Sequence, residues 1–192
     1  MKISKAQAQE NRQRVVEVAS ELFRARGFDE VPVGDLMKAA GFTHGGFYNH
    51  FASKQDLAAE ALENAWAQMA AERARADGVA GLLPHYLSRA ARNAPGKSCP
   101  AAALAGDIGR QPDALRGVFA EGLEGMIASV EAGLEGEGPA RRALAVALVA
   151  RMVGALMLSR AVPDDHPLAN EMLDANLRAA LAEVVGGDDA GA

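Results

Sequence analysis

Apolar residues recur along this chain at the spacing of helices, and no segment alternates convincingly as a strand. Val15, Val18, Ala19, Leu22 and Phe23 fit the spacing of an amphipathic helix. Gly27 ends that helix and Phe28 folds back. Leu36, Met37 and Ala40 form a second apolar face, with Pro32 suited to the first turn, where a missing N–H costs nothing. Gly41 follows where the chain must leave the helix, as a residue able to take a left-handed backbone.

The next stretch is the most informative. Thr43 is a good N-cap for a short helix of about eight residues, about 12 Å long and close to the width of a DNA major groove. Phe47 and Phe51 are four apart and share one face, while His44, Gly45 and Tyr48 point the other way. Ser53 and Asp56 make a capping-box variant that opens another helix. Residues 10–51 thus read as a three-helix unit with a phenylalanine core, in the layout of a helix-turn-helix DNA reader.

The pattern then predicts helices over residues 54–75, 79–93, 101–109, 112–134, 139–161 and 167–185, with a disordered tail at 186–192. The chain is expected to be all-α with about nine helices. It divides into a DNA-binding domain, residues 1–53, and a helical regulatory domain, residues 54–192. The helix at 139–161 is apolar nearly all round, but Arg151 splits it into halves too short for the roughly 20 residues that cross a bilayer. It is expected to be buried on more than one side, and no membrane association is expected.

Charge changes the picture once it is divided. The net charge is −5, yet residues 1–54 hold eight basic against six acidic side chains, while residues 55–192 hold twelve against nineteen. Lys2, Lys5, Arg12, Arg14, Lys38 and Lys54 are the expected members of a local basic footprint; Arg24 and Arg26 read as ordinary solvated charges. Five of the six Phe precede residue 52, and the rest of the chain is rich in Ala, Leu and Met, which suits a pliable helical core or one that accommodates a ligand.

Other chemistries find little support. Gly96-Lys97-Ser98 resembles the end of a phosphate loop, but Ala91 stands where its first glycine is required. No cofactor motif, nucleophile elbow or helical His pair is present, so neither an enzyme nor a metal site is expected. Asp164-Asp165-His166 directly precedes Pro167 and reads as a helix cap. The single cysteine and the lack of a signal peptide fit a reducing cytoplasm. Cys99 lies beside Lys97 and ahead of an apolar helix, which favours thiolate, so a redox or electrophile sensor is one reading and a packing residue the other.

Phe23, Gly27, Phe28, Ala40, Gly41, Tyr48, His50, Phe51, Ser53 and Lys54 fit one register of a known pattern: the run from Arg14 to Leu57 resembles the DNA-binding domain of the TetR family of bacterial transcriptional regulators. The resemblance implies phosphate contacts from Tyr48 and Lys54, base-edge contacts from Thr43, His44, Gly45 and Gly46, and a phosphate or packing role for His50, with Asn49 beside them. It departs from the family at Val31, Pro32 and Gly34, where hydroxyl and basic side chains are usual, and at Gly46, where a side chain is usual. It implies a homodimer through Leu148, Met152, Leu156, Leu173, Leu177 and Leu181, placing two reading heads one turn apart on palindromic double-stranded DNA. It also implies a pocket for a small-molecule effector, with Trp66, Met69, His85, Tyr86, Arg89, Phe119 and Met152 as candidate lining. The function implied is a repressor released from its operator when the effector shifts the dimer's geometry; a regulator without a ligand is the alternative.

Overall fold

The structure is a computed structural model that describes residues 4–185, and among these there are nine α-helices, two short 3-10 segments and no strand. The expected disordered tail and Lys2 lie outside the described residues.

Helix α1, Lys5–Arg26, starts earlier than the apolar pattern does, because Ser4 caps it by accepting from Gln7 N at 3.1 Å. Its Val15, Val16, Ala19 and Phe23 are buried. Gly27 stops it at φ 86°, and a Cβ there would sit 2.2 Å from Asp107 Oδ2, so backbone and packing both call for glycine. Helix α2 is Val33–Ala40, with Pro32 at its N-cap rather than inside the first turn. Helix α3, Lys54–Arg73, is capped as expected by Ser53, which accepts from Asp56 N at 3.0 Å. It packs on α1 along one stretch and on helix α7, Asp113–Ala132, along another, so it joins the two halves of the chain.

The single helix expected over residues 79–93 is two. Helix α4, Gly78–Tyr86, contains Pro84, and Leu87 leaves the helical region at φ −91°, ψ 58°. Ser88 then starts α5, Arg89–Asn93, by accepting from Ala91 N at 3.1 Å. His85 and Arg89 therefore do not share one helix face. A 3-10 turn at Pro95–Lys97 leads to α6, Pro100–Ile108.

Helix α8, Gly138–Arg160, is long and apolar enough by composition to cross a membrane, but it packs against α6, α7 and helix α9, Leu168–Val185. Arg151, the residue that interrupts its apolar run, pairs with Glu183 of α9 at 2.6 Å. At the start of α9 the capping acceptor is His166 Nδ1, 3.2 Å from Leu168 N; Asp164 is engaged instead by Arg89 and Arg92.

Three arginines hold the middle of the molecule together. Arg24 is only 3% exposed, not solvated: it donates to Ser20 O, to Ser98 O and to Gln68 Oε1. Arg92 donates to Ser159 and Val162 O, and Arg160 to the carbonyls of Ala91, Arg92 and Ala102. Helix ends and turns leave carbonyls without intrahelical partners, and a guanidinium with its five N–H groups can satisfy several at once. Burial pushes the pKa of Arg24 and Arg160 down from the ordinary arginine value, a sign of what desolvating them costs.

Candidate nucleic-acid interface and internal cavity

The turn between α2 and the reading segment is built by Gly41. It adopts φ 85°, ψ 24°, and lets Phe42 N reach back to Met37 O at 2.8 Å. The chain then extends through Thr43, which makes no side-chain cap bond, and winds as a 3-10 segment over His44–Asn49 instead of the expected α-helix. Gly45 and Gly46 account for this, since glycine is the poorest ordinary α-helix former, by about 1 kcal/mol. The tighter winding rises about 2 Å per residue, so six residues still span about 12 Å.

One face of this segment is locked and the other is offered. Phe47 and Phe51 are 1% and 3% exposed, with ring centroids 5.5 Å apart, while Tyr48 is 70% exposed and meets Phe47 edge-on at 5.2 Å. Thr43, His44, Gly45 and Asn49 are exposed; Gly46 and His50 are half-buried. A Cβ on Gly45 would meet nothing within 4 Å, whereas one on Gly46 would touch Met37 Cε at 3.6 Å. The two glycines therefore differ: Gly45 faces outward and Gly46 backs onto α2. At Gly34 an added Cβ would lie 3.4 Å from His44 Nδ1, an ordinary contact, so nothing local requires the glycine.

The basic residues around this face divide in two. Lys5, Arg14 and Lys38 are exposed, and Lys54 is half-buried at the start of α3 with its Nζ 6.0 Å from the Phe23 ring centroid. Arg12, expected in the footprint, is used internally. It grips both carboxylate oxygens of Glu60, donates to His50 O at 3.3 Å and lies 4.6 Å over the Phe51 ring. It thereby ties α1, the end of the reading segment and α3 together.

A cavity of about 510 Å³ lies in the second half, between α3, α4, α5, the Pro95–Lys97 turn and α8. Of the residues expected around a pocket, Met69, His85 and Tyr86 line it, and so does Cys99. Trp66, Phe119, Met152 and Arg89 do not. Trp66 stacks edge-on against Phe119 at 5.8 Å and lies over Gly122, where a Cβ would be 2.1 Å from its Nε1; Met152 is in the core; Arg89 is 2.8 Å from Asp164. Reading the sequence missed Glu72, Arg75, Leu82, Lys97, Ser98 and Leu156, which line it together with several alanines and Ser88. Only their grouping in space marks them. Cys99 is 1% exposed, with its Sγ 3.9 Å from Met126 Sδ.

The six residues expected at a dimer interface face inward or nearly so. Leu148, Met152, Leu156 and Leu173 are buried in the chain's own core, and Leu177 and Leu181 pack against it. The outward face of α8 is a different apolar set: Val146, 43% exposed, Ala147, Ala150 and Leu158, 55% exposed. Ala175, Ala179 and Ala182 are exposed along α9.

An all-α chain with an N-terminal helix-turn-helix and a larger helical part is the architecture of a class of bacterial regulators, and comparison with known proteins agrees. Residues 15–61 match the family described as "Bacterial regulatory proteins, tetR family". The HTH-type transcriptional regulator AcrR of Shigella flexneri is 43% identical over 60 residues, 31% of this chain and 28% of that protein. The match thus spans less than a third of that relative's own length, within the N-terminal region. Across nearly the whole chain, a TetR transcriptional regulator from Chloroflexus aurantiacus is similar in structure, with TM-score 0.68 and 27% identity over 92% of this chain and 95% of that one. The reduced form of NemR from E. coli shares the fold at TM-score 0.71 and 20% identity over 92% and 96%. Residues 15–61 are thus similar to the DNA-binding region of the TetR family, and nearly the whole chain is similar in fold to a regulator of that family.

Proposed function

We propose that this chain is a dimeric transcriptional regulator that binds a palindromic operator in double-stranded DNA and is released from it by a small molecule. The observation that carries this reading is the two-sided reading segment: Phe47 and Phe51 are clamped in the core while Tyr48, Thr43 and His44 are presented outward. A rigid backing of this kind sets exposed side chains in fixed register, as groove readout needs. Tyr48 and Lys54 position the protein on phosphates, and Thr43, His44 and the bare backbone of Gly45 approach base edges.

The cavity supports a ligand-responsive regulator over one without an effector, since about 510 Å³ is within the range of small-molecule sites. The outward apolar faces of α8 and α9 support a dimer, in place of the inward residues first expected. The named relatives are regulators, which fits a non-enzymatic role acting on DNA in the cytoplasm. A thiol sensor has less support, because Cys99 is 1% exposed and packed against Met126 in the cavity wall.

Selection of bound duplexes from a random library, at one fixed moderate salt, tests the reading. Enrichment of a palindrome with half-sites about one helical turn apart is expected. Salt-sensitive binding with no enriched sequence would sink it.

A further inference from the structure

The cavity has a charged mouth and an apolar floor. Glu72, Arg75, His85 and Lys97 are exposed around its rim, while Met69, Leu82, Tyr86, Cys99 and Leu156 are buried beneath them. Among the floor residues one polar atom stands out. Tyr86 is 7% exposed, and among the described residues its Oη has no hydrogen bond of good geometry, the Cys99 thiol beside it being a weak acceptor. Buried hydroxyls are nearly always paired, so an unpaired one on a cavity wall points to a partner that arrives from outside.

The other polar groups of the floor are already committed. Ser98 Oγ donates to Pro95 O at 3.1 Å and accepts from Arg160 Nη2 at 2.5 Å, and Cys99 Sγ rests against Met126 Sδ. Tyr86 is thus the available donor. Burial pushes its phenol pKa well up, so it keeps its proton at neutral pH and donates rather than accepts.

The charges nearby point to the sign of the ligand. Arg160 and Arg73 both act on the phenol although neither lines the cavity, and among the described residues neither forms an ion pair with a carboxylate. Arg160 spends its N–H groups on carbonyls and on the Ser98 hydroxyl, and Arg73 Nε has no partner at all. Neutral acceptors satisfy hydrogen bonds but leave the positive charge uncompensated.

We propose that the cavity takes a weak organic acid, with an apolar body against Met69, Leu82 and Leu156 and one carboxylate accepting the hydrogen bond of Tyr86 Oη. The apolar floor disfavours sugars, whose many polar groups would find a single donor there. The inference deepens the regulator reading by giving its effector a chemical class, and binding is measured without DNA so that the two stand or fall separately.

The test is calorimetry on the full chain with three probes of one shape: phenylbutyrate, its amide phenylbutyramide, and phenylbutylamine. The carboxylate is expected to bind tightest and the amine weakest. Tyr86→Phe is expected to weaken the carboxylate by about tenfold or more, the value of a hydrogen bond to a charged group. Its melting temperature, expected at or above the wild type because an unpaired hydroxyl is removed, reports that it is folded. Equal or tighter binding of the amide or amine overturns the proposal, as does wild-type affinity in Tyr86→Phe or no binding of the carboxylate. If operator selection succeeds while the acid fails, the ligand class is wrong and the regulator reading stands. If the acid binds and no operator is enriched, the regulator reading is the one that fails.

Discussion

The two halves of this molecule solve their packing differently. Up to residue 63, no buried side-chain nitrogen or oxygen among the described residues lacks a partner, and the core is closed by Phe23, Phe28, Phe47 and Phe51. Beyond it, Asn64 Nδ2, Trp66 Nε1, Arg73 Nε and Tyr86 Oη are buried and unpaired among the described residues, and a cavity opens beside the last of them. The first arrangement holds one surface rigid. The second leaves stability unclaimed that a bound molecule can supply, and a ligand shifts an equilibrium only through such differential contacts. Helix α3 packs on both regions and α1 also packs on the Pro95–Lys97 turn and α6, so both helices link them mechanically.

The comparison is broken most forcefully at Phe47. Truncation to Ala is expected to cost about 3–5 kcal/mol, because the ring is fully buried and packs against Phe51. Urea unfolding followed by Trp66 fluorescence reads this directly. A loss below about 1 kcal/mol would mean the first core is as pliable as the second.

Alkaline pH probes the second region next. Tyr86 has its phenol pKa raised by burial, so the folded state holds the proton more tightly than the unfolded one. Its contribution is full below the ordinary phenol value, about 10, and is lost as pH rises past it. The wild type is therefore expected to lose melting temperature above that pH more steeply than Tyr86→Phe. Parallel curves would show that the phenol is not held neutral.

The smallest expected effect tests the outward face alone. Lys54→Ala is expected to leave folding within about 0.5 kcal/mol while lowering the salt slope of DNA binding by about one unit. An unchanged slope would show that Lys54 leans on Phe23 and touches no phosphate.

Most of the fold was legible in the sequence wherever a local rule acts. Gly27 and Gly41 stop their helices with left-handed backbones, Ser53 caps α3, and the Phe47 and Phe51 pair faces inward, all as spacing implies. The same local reading erred where two local preferences competed. Thr43 and an apolar period argued for an α-helix, but Gly45 and Gly46 gave a 3-10 segment. The apolar run through residues 79–93 argued for one helix, but Pro84 and the Ser88 cap made two.

The order and limits of the helices, the turn before the reading segment and the division of its residues into inward and outward sets follow from the sequence itself, because propensity, capping and periodicity act within a few residues. What lines the cavity, which apolar face of α8 stays outside and what Arg24 and Arg12 do were decided only by tertiary structure. Arg24 bonds to Ser98, 74 residues away, and Arg12 to Glu60, 48 away. An all-round apolar helix such as α8 carries no local mark of its inner side, so its neighbours alone choose which residues are buried.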